Sequence, residues 1–333
     1  MNDVRWGLIG AGDIVRKRVA AAIRDSENSE LVSISRGRPR LAEAAAADVG
    51  ARKWFADWRE QIIDPEINAV YIATPVFLHA EQTIAAAEAG KHVLCEKPLA
   101  ATSEDCLRII DAERKAGRKL VHTGYMRRYD PTYRELKATL RAGALGKIRI
   151  LHNQHRNRAA PDWFTADMAV TNSFVHEIDI SRWLLGTEFK AVTVVAFTSD
   201  RPEAAADPLL ITLEAENGAI VSTEVFLNAG YGYHVHAEAV CERGGVRMGQ
   251  PALTSVLYEG SDRAAFPANW IPRFADAYRL QDQAWVNAIR GGSLDANASS
   301  SWDGYMASYI AEKTLEALKT GRRIELQVPQ QTR

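Results

Sequence analysis

Val4-Arg5-Trp6-Gly7-Leu8-Ile9-Gly10-Ala11-Gly12 decides how the rest of the chain is read. The run from Val4 to Ile9 has the apolar content of a buried strand, and it breaks at once on a pair of glycines. Beyond them Val15, Val19, Ala22 and Ile23 recur at helical spacing, which predicts a helix through about Ile23. Strand, glycine turn and helix in that order give the glycines a purpose. Gly10 allows the tight turn, and Gly12 lets the backbone approach a pyrophosphate resting on the helix N-terminus, beside Asp13 and Ile14. Val15 stands where the dinucleotide fingerprint has its third glycine, so helix and strand should lie slightly further apart.

The next strand, Leu31 to Ile34, ends in Ser35-Arg36-Gly37-Arg38. An NAD site normally carries Asp or Glu at this point for the ribose 2′-hydroxyl. A hydroxyl and two guanidinium groups suit a 2′-phosphate better, because the planar fork of arginine donates paired, charge-assisted hydrogen bonds. NADP is therefore favoured, with NAD possible. A helix from Pro39 to Gly50, a short strand at Lys53-Trp54-Phe55, a short helix to Ile63 and a buried strand at Ala69-Val70-Tyr71-Ile72-Ala73 follow. That last strand closes on Thr74-Pro75.

A helix from about His79 to Ala89 leads to His92-Val93-Leu94-Cys95-Glu96-Lys97-Pro98-Leu99. Pro98 cannot extend a ladder and confines Lys97 to an extended backbone, so the strand stops there. An isolated Glu-Lys-Pro is commonly a solvated lysine before a turn. In this position it holds an ammonium at the carboxyl end of a strand, where open α/β sheets bind ligands. A helix from Ser103 to Ala116 and a strand from Leu120 to Thr123 complete the alternation. The expected fold is α/β: a doubly wound parallel sheet of the dinucleotide-binding kind over residues 1–124.

From 125 to 333 the pattern changes. A helix from about Thr132 to Ala142 precedes strand-like runs at Ile148–His155, Val192–Phe197, Leu210–Glu214, Ala219–Phe226, His234–Cys241 and Val246–Met248. Glu216-Asn217-Gly218 and Arg243-Gly244-Gly245 read as hairpin turns. This predicts an α+β domain with a largely antiparallel open sheet, helices on one face and another subunit, in a dimer or homotetramer, on the other. The stretch Asn172-Ser173-Phe174-Val175-His176-Glu177-Ile178-Asp179 leads into an amphipathic helix with Ile178, Trp183 and Leu185 apolar and Gly186 at its end. Asn172, His176 and Asp179 are spaced four and three apart, hence on one helix face, near a strand ending His155-Arg156-Asn157.

With 333 residues, 25% of them charged and a net charge of −1, the chain has room for two cores and no electrostatic footprint for nucleic acid. Its longest uncharged apolar stretch, Ala69 to Ala80, contains Pro75 and is too short for a bilayer. Three cysteines without a CxxC pair indicate a reducing, cytoplasmic setting.

Taken together these motifs closely resemble the Gfo/Idh/MocA oxidoreductase family, and within it the inositol 2-dehydrogenases. The resemblance spans almost the whole chain. It is carried by Gly10-Ala11-Gly12, Ala73-Thr74-Pro75, Glu96-Lys97-Pro98-Leu99, Gly124-Tyr125-Met126-Arg127-Arg128-Tyr129-Asp130, His155-Arg156-Asn157, His176-Glu177-Ile178-Asp179, Tyr231-Gly232-Tyr233 and Trp302-Asp303-Gly304-Tyr305. It implies that Lys97 and His176 are the catalytic pair and that the Lys97-Pro98 peptide is cis. Asn172 then occupies the place of the family's Asp four residues before the histidine. His155, Asn157 and Tyr233 match residues lining a polyol site, with Arg127 at its edge, and Lys97, Asn172 and His176 facing the substrate. The cofactor would be held by Gly10, Gly12, Asp13, Ile14, Ser35, Arg36, Arg38, Thr74, Pro75, His79, Glu96 and Lys97.

The implied reaction is reversible oxidation of a secondary ring alcohol on an inositol or sugar. Aldopyranose oxidation at the anomeric carbon is the alternative within the family, and a non-catalytic nucleotide sensor the alternative outside enzymology. No metal is expected; the best ligand pairs, His234-x-His236 and His152-x-x-His155, lack a cysteine or carboxylate cluster beside them.

Overall fold

A computed structural model of the chain describes residues 3–197, 207–249, 255–293 and 295–329. Parts of the expected domains at 1–2, 198–206, 250–254, 294 and 330–333 lie outside the described residues.

Six strands form the first sheet: β1 (Val4–Ile9), β2 (Ser29–Ser35), β3 (Lys53–Phe55), β4 (Ala69–Ile72), β5 (His92–Glu96) and β6 (Val121–Gly124). All pairings are parallel and the order is β3-β2-β1-β4-β5-β6. The crossovers are α1 (Ala20–Asp25), α2 (Pro39–Val49), α3 (Trp58–Ile63), α4 (His79–Glu88) and α5 (Ser103–Lys115). A π-helical turn at Val15–Val19 feeds α1, and Val15, Val19, Ala22 and Ile23 are buried as the spacing predicts. The order reverses between β1 and β4, which opens a crevice at their carboxyl ends. Helix ends follow their local chemistry: Pro39 starts α2 and left-handed Gly50 ends it, and the Thr102 hydroxyl caps α5 by accepting from the Asp105 amide.

The second sheet runs β12-β11-β7-β10-β9-β8-β15. Before it comes α6 (Pro131–Arg141). Next along the chain are β7 (Ile148–Arg156), α7 (Ala166–Met168), α8 (Val175–Leu185), β8 (Phe189–Ala196), β9 (Leu209–Ala215), β10 (Ile220–Phe226), β11 (His234–Cys241) and β12 (Gly244–Arg247). All its pairings are antiparallel except β7 with β10, so the sheet is mixed but largely antiparallel. Glu242-Arg243 make the β11–β12 turn, and Gly244 and Gly245 are already paired in β12, which begins two residues before the expected Val246. A separate hairpin, β13 (Ser255–Tyr258) with β14 (Ser261–Ala264), precedes α9 (Trp270–Arg273), α10 (Ala275–Gly291), α11 (Ser301–Thr320) and β15 (Ile324–Glu325).

Two compact units result: Met1–Asp130 with Ala275–Tyr309, and Pro131–Phe274 with Ile310–Arg333. The sequence reading runs the second domain unbroken from 125 to 333. The structure instead returns Ala275–Tyr309 to the first unit, because α10 lays Trp285 against Trp6 of β1 at 4.5 Å between ring centroids. The first core joins Trp6, Leu8, Val32, Ile34, Val70, Tyr71, Val93 and Leu94, all buried; the second joins Leu151, Val221, Val225, Ile211, Leu213, Ala237 and Ala239 with Ile178 and Ile180 of α8.

Candidate active site

Along the carboxyl rim of the first sheet, β1 ends at Gly10, whose φ of +105° suits glycine. A Cβ there would sit 2.5 Å from the Ala73 carbonyl oxygen, so no side chain fits. At Gly12 a Cβ would meet nothing within 4 Å, which leaves the turn open to a ligand. Asp13 is exposed, and its carboxylate is bound by Lys17 at 2.6 Å, which holds its pKa below the ordinary value. Ser35 ends β2 buried, with no hydrogen-bond partner for its hydroxyl oxygen, and Arg36 and Arg38 follow it at the surface. This rim fits a dinucleotide: an uncrowded glycine turn at a strand switch point, with a buried orphan hydroxyl and two guanidinium groups at the end of the neighbouring strand.

Between β4 and β5 two expected cofactor residues do other work. His79 is buried, with Nδ1 at 2.8 Å from the Pro98 carbonyl and Nε2 at 2.9 Å from the Thr74 carbonyl. It ties the turn after β4 to the turn after β5, and burial lowers its pKa despite the two carbonyls. The Glu96 carboxylate turns inward and accepts from the Tyr71 hydroxyl at 2.9 Å. Thr74 donates its hydroxyl to Gln82 at 2.7 Å, while Pro75 is exposed. Lys97 follows directly, half-buried, and the Lys97-Pro98 peptide is cis as the resemblance implies. Gly304 of α11 explains part of the Trp302–Tyr305 motif. A Cβ there would lie 2.6 Å from Thr123 Oγ1 and 2.7 Å from Leu99, so only glycine lets α11 pack against the segment after Pro98. Asp303 accepts from Ser300 at 2.9 Å and pairs with the buried Arg128 at 3.2 Å. Arg127 lies in the same unit, its side chain almost wholly buried.

In the second unit α8 packs on the covered face of the sheet. It is not amphipathic as expected: His176, Glu177, Asp179, Ser181 and Arg182 are buried, while Trp183 and Leu185 are only half-buried. Its polar groups have partners on the sheet. Glu177 meets His155 Nδ1 of β7 at 3.0 Å, and Ser181 accepts from the Asn153 amide at 2.9 Å. The helical path is continuous from Ala166 through a π-helical turn at Ala169–Phe174, so Asn172, half-buried, precedes His176 on it. Tyr233 is buried edge-on to His155 at 6.1 Å, and Asn157, just past β7, has a buried amide oxygen without a partner. His155, Glu177 and Tyr233 therefore converge in the second unit, with Asn157 two residues beyond His155 on the same strand end. Sequence reasoning omits Glu177 from the site, since nothing local in the chain marks its pairing with His155. Of the metal pairs considered, His234 and His236 share a face of β11, but His152 is exposed where His155 is buried, on opposite faces of β7. Among the described residues, no group of three or more His, Cys, Asp or Glu side chains is placed to hold a metal ion.

Known proteins are similar to this chain in sequence and fold. Residues 4–125 match an oxidoreductase family with an NAD-binding Rossmann fold, and residues 133–247 match the GFO/IDH/MocA C-terminal domain. Inositol 2-dehydrogenase 1 of Saccharopolyspora erythraea is 42% identical over 98% of this chain and 97% of its own. The inositol 2-dehydrogenase of Klebsiella pneumoniae is 36% identical over 98% of each. A crystal structure of myo-inositol dehydrogenase from Lactobacillus casei, in complex with NAD(H) and myo-inositol, superimposes with a TM-score of 0.93 at 29% identity, covering 98% of both chains. The chain belongs to the Gfo/Idh/MocA oxidoreductase family. It is a nicotinamide-dependent dehydrogenase acting on CH–OH groups.

Proposed function

We propose that this protein interconverts a secondary ring alcohol and a ketone on a cyclic polyol, an inositol being the substrate class, and that it uses NADP in preference to NAD. The observation that carries the reaction is Lys97, held at the carboxyl end of β5 on the same rim as the open Gly10-Gly12 turn, in a chain that aligns nearly end to end with inositol 2-dehydrogenases. Support for NADP comes from the unpartnered Ser35 hydroxyl and from Arg36 and Arg38, neither paired with an acid among the described residues.

Gly10, Gly12, Asp13 and Ile14 would receive the pyrophosphate, Ser35, Arg36 and Arg38 the adenosine ribose, and Thr74, Pro75 and Lys97 the nicotinamide end. When bound, the dinucleotide supplies the ring that accepts or returns hydride. The protein's own task is the proton. Hydride leaves an alcohol carbon only as the hydroxyl proton is lost, so a base must reach that oxygen. His176 is the proposed base, since imidazole titrates near neutrality. Lys97 donates a hydrogen bond to the same oxygen and stabilises charge developing on it. His155, Asn157, Tyr233 and Arg127 would position the remaining hydroxyls, with His155 oriented by Glu177.

A cytoplasmic setting rests on three buried cysteines that form no disulfide among the described residues. The experiment that tests the reading is a panel of inositols and aldopyranoses assayed at the nicotinamide absorbance with each cofactor. It predicts turnover of at least one inositol and a lower KM for NADP than for NAD. Turnover confined to aldopyranoses would overturn the substrate class, and a large preference for NAD would overturn the cofactor.

A further inference from the structure

At the end of β5 and on α10 the first unit buries the carboxyl groups of Glu96 and Asp282 and serves them unequally. Glu96, at the end of β5, is 4% exposed; its Oε1 accepts from the Tyr71 hydroxyl at 2.9 Å and its Oε2 from the Lys97 amide at 3.2 Å. Asp282, on α10, is 0% exposed, and neither of its carboxyl oxygens has a hydrogen-bond partner. Around them lie Tyr71 of β4, His79 of α4, Lys97, and Tyr278 and Gln281 of α10. Lys97 and the Tyr71 hydroxyl favour a charge on Glu96, whereas Asp282 faces the repelling Glu96 carboxyl with the neighbouring Gln281 amide as its counterweight.

Two carboxylates sharing a water-excluded interior cannot both ionise cheaply, so such a pair holds one proton. Hydrogen bonding decides which member keeps it. We propose that Glu96 and Asp282 form a one-proton pair, with the proton on Asp282 and the charge on Glu96, where that charge positions Lys97 and keeps its ammonium protonated. Burial pushes the Asp282 carboxyl well above its ordinary range; it raises Glu96 as well, but there Lys97 and Tyr71 pull back. Glu96 is thus a positioning residue acting through Lys97. The inference rests on the reading of Lys97 as the group that meets the substrate oxygen.

Two measurements on the full-length protein test it. Infrared spectra at neutral pH should show the carbonyl stretch of a protonated carboxyl group that disappears in Asp282→Asn and survives in Glu96→Gln; a spectrum unchanged by Asp282→Asn overturns the assignment. In Glu96→Gln the limb of the kcat/KM profile governed by Lys97 should move to lower pH by about one pH unit, with kcat reduced about tenfold and the polyol KM little changed. An active Glu96→Gln enzyme with an unmoved profile overturns the role in positioning. If Glu96→Gln does not fold, Tyr71→Phe removes one donor to the same charge and should move that limb in the same direction; an unmoved limb there counts equally against it. Near-normal turnover in Lys97→Ala would instead remove the reaction reading and leave the infrared assignment standing, so the two failures are told apart.

Discussion

Asn172 stands four residues before His176, where the inositol enzymes it resembles have an acid. An amide keeps a hydrogen bond there but brings no charge, so an imidazolium formed on the proposed base His176 would go without that anion. Asn172→Asp should therefore favour the protonated imidazole and raise the midpoint of the acid limb of kcat/KM, by up to about one pH unit. A midpoint left in place would show that residue 172 does not act on the base. Single residues of this kind are readable in sequence only where a backbone rule accompanies them. Lys97 is such a case, because Pro98 ends the strand at it. His79 and Glu96 are not. Their side chains turn to the Pro98 and Thr74 carbonyls and to the Tyr71 hydroxyl, choices made by tertiary packing and invisible in the run His92–Leu99.

Most strands and helices of the first sheet are legible from periodicity, since a strand buried on both faces reads as a continuous apolar run. For α8 the same method fails for a physical reason: the helix is buried almost all round, and its buried polar groups have partners, Glu177 on His155, Ser181 on Asn153 and Arg182 on Glu188. Hydropathy then cannot mark one side as the core. Paired polar burial of another kind occurs at β6, where His122 lies edge-on to Trp285 of α10 at 6.3 Å and close to His92. Burial pushes its pKa down to about 4 from 6.5. As pH falls below about 6.5 the unfolded imidazole takes up a proton that the folded one refuses until near 4. Folding stability contributed by the neutral ring is thus full above 6.5 and lost between the two values, on the order of 3 kcal/mol at most. Denaturant titrations between pH 7 and 4 should show this loss reduced in His122→Gln; an equal pH slope in both proteins would contradict it.

The sequence reading assigns no elements to 275–309 and leaves it in the second domain, whereas Trp285 of α10 seats on Trp6 and Asp303 pairs with Arg128, both within the first unit. The uncovered face of the second sheet is the other feature that belongs to the whole molecule. Val195 (63% exposed), Phe197, Leu210 and Ile220 lie on it, with Val195 and Leu210 directly paired across β8 and β9. Apolar groups gathered on one sheet face are the surface on which a second copy of the chain would pack, so we expect a dimer or tetramer built through it. Sedimentation should give such an oligomer for the native chain and a shift toward monomer for Val195→Lys combined with Leu210→Lys; a monomeric native chain would contradict it. Among the described residues no helix is long and apolar enough to cross a membrane. The proposed reaction would use two side chains 79 positions apart in sequence, Lys97 and His176, on one substrate oxygen. The direct measurement is a double-mutant cycle on kcat/KM with the preferred inositol. Lys97→Ala and His176→Ala should each cost about a hundredfold or more, and the double variant little more than the worse single one. Losses that simply multiply would mean that the two residues work independently and that the account is wrong.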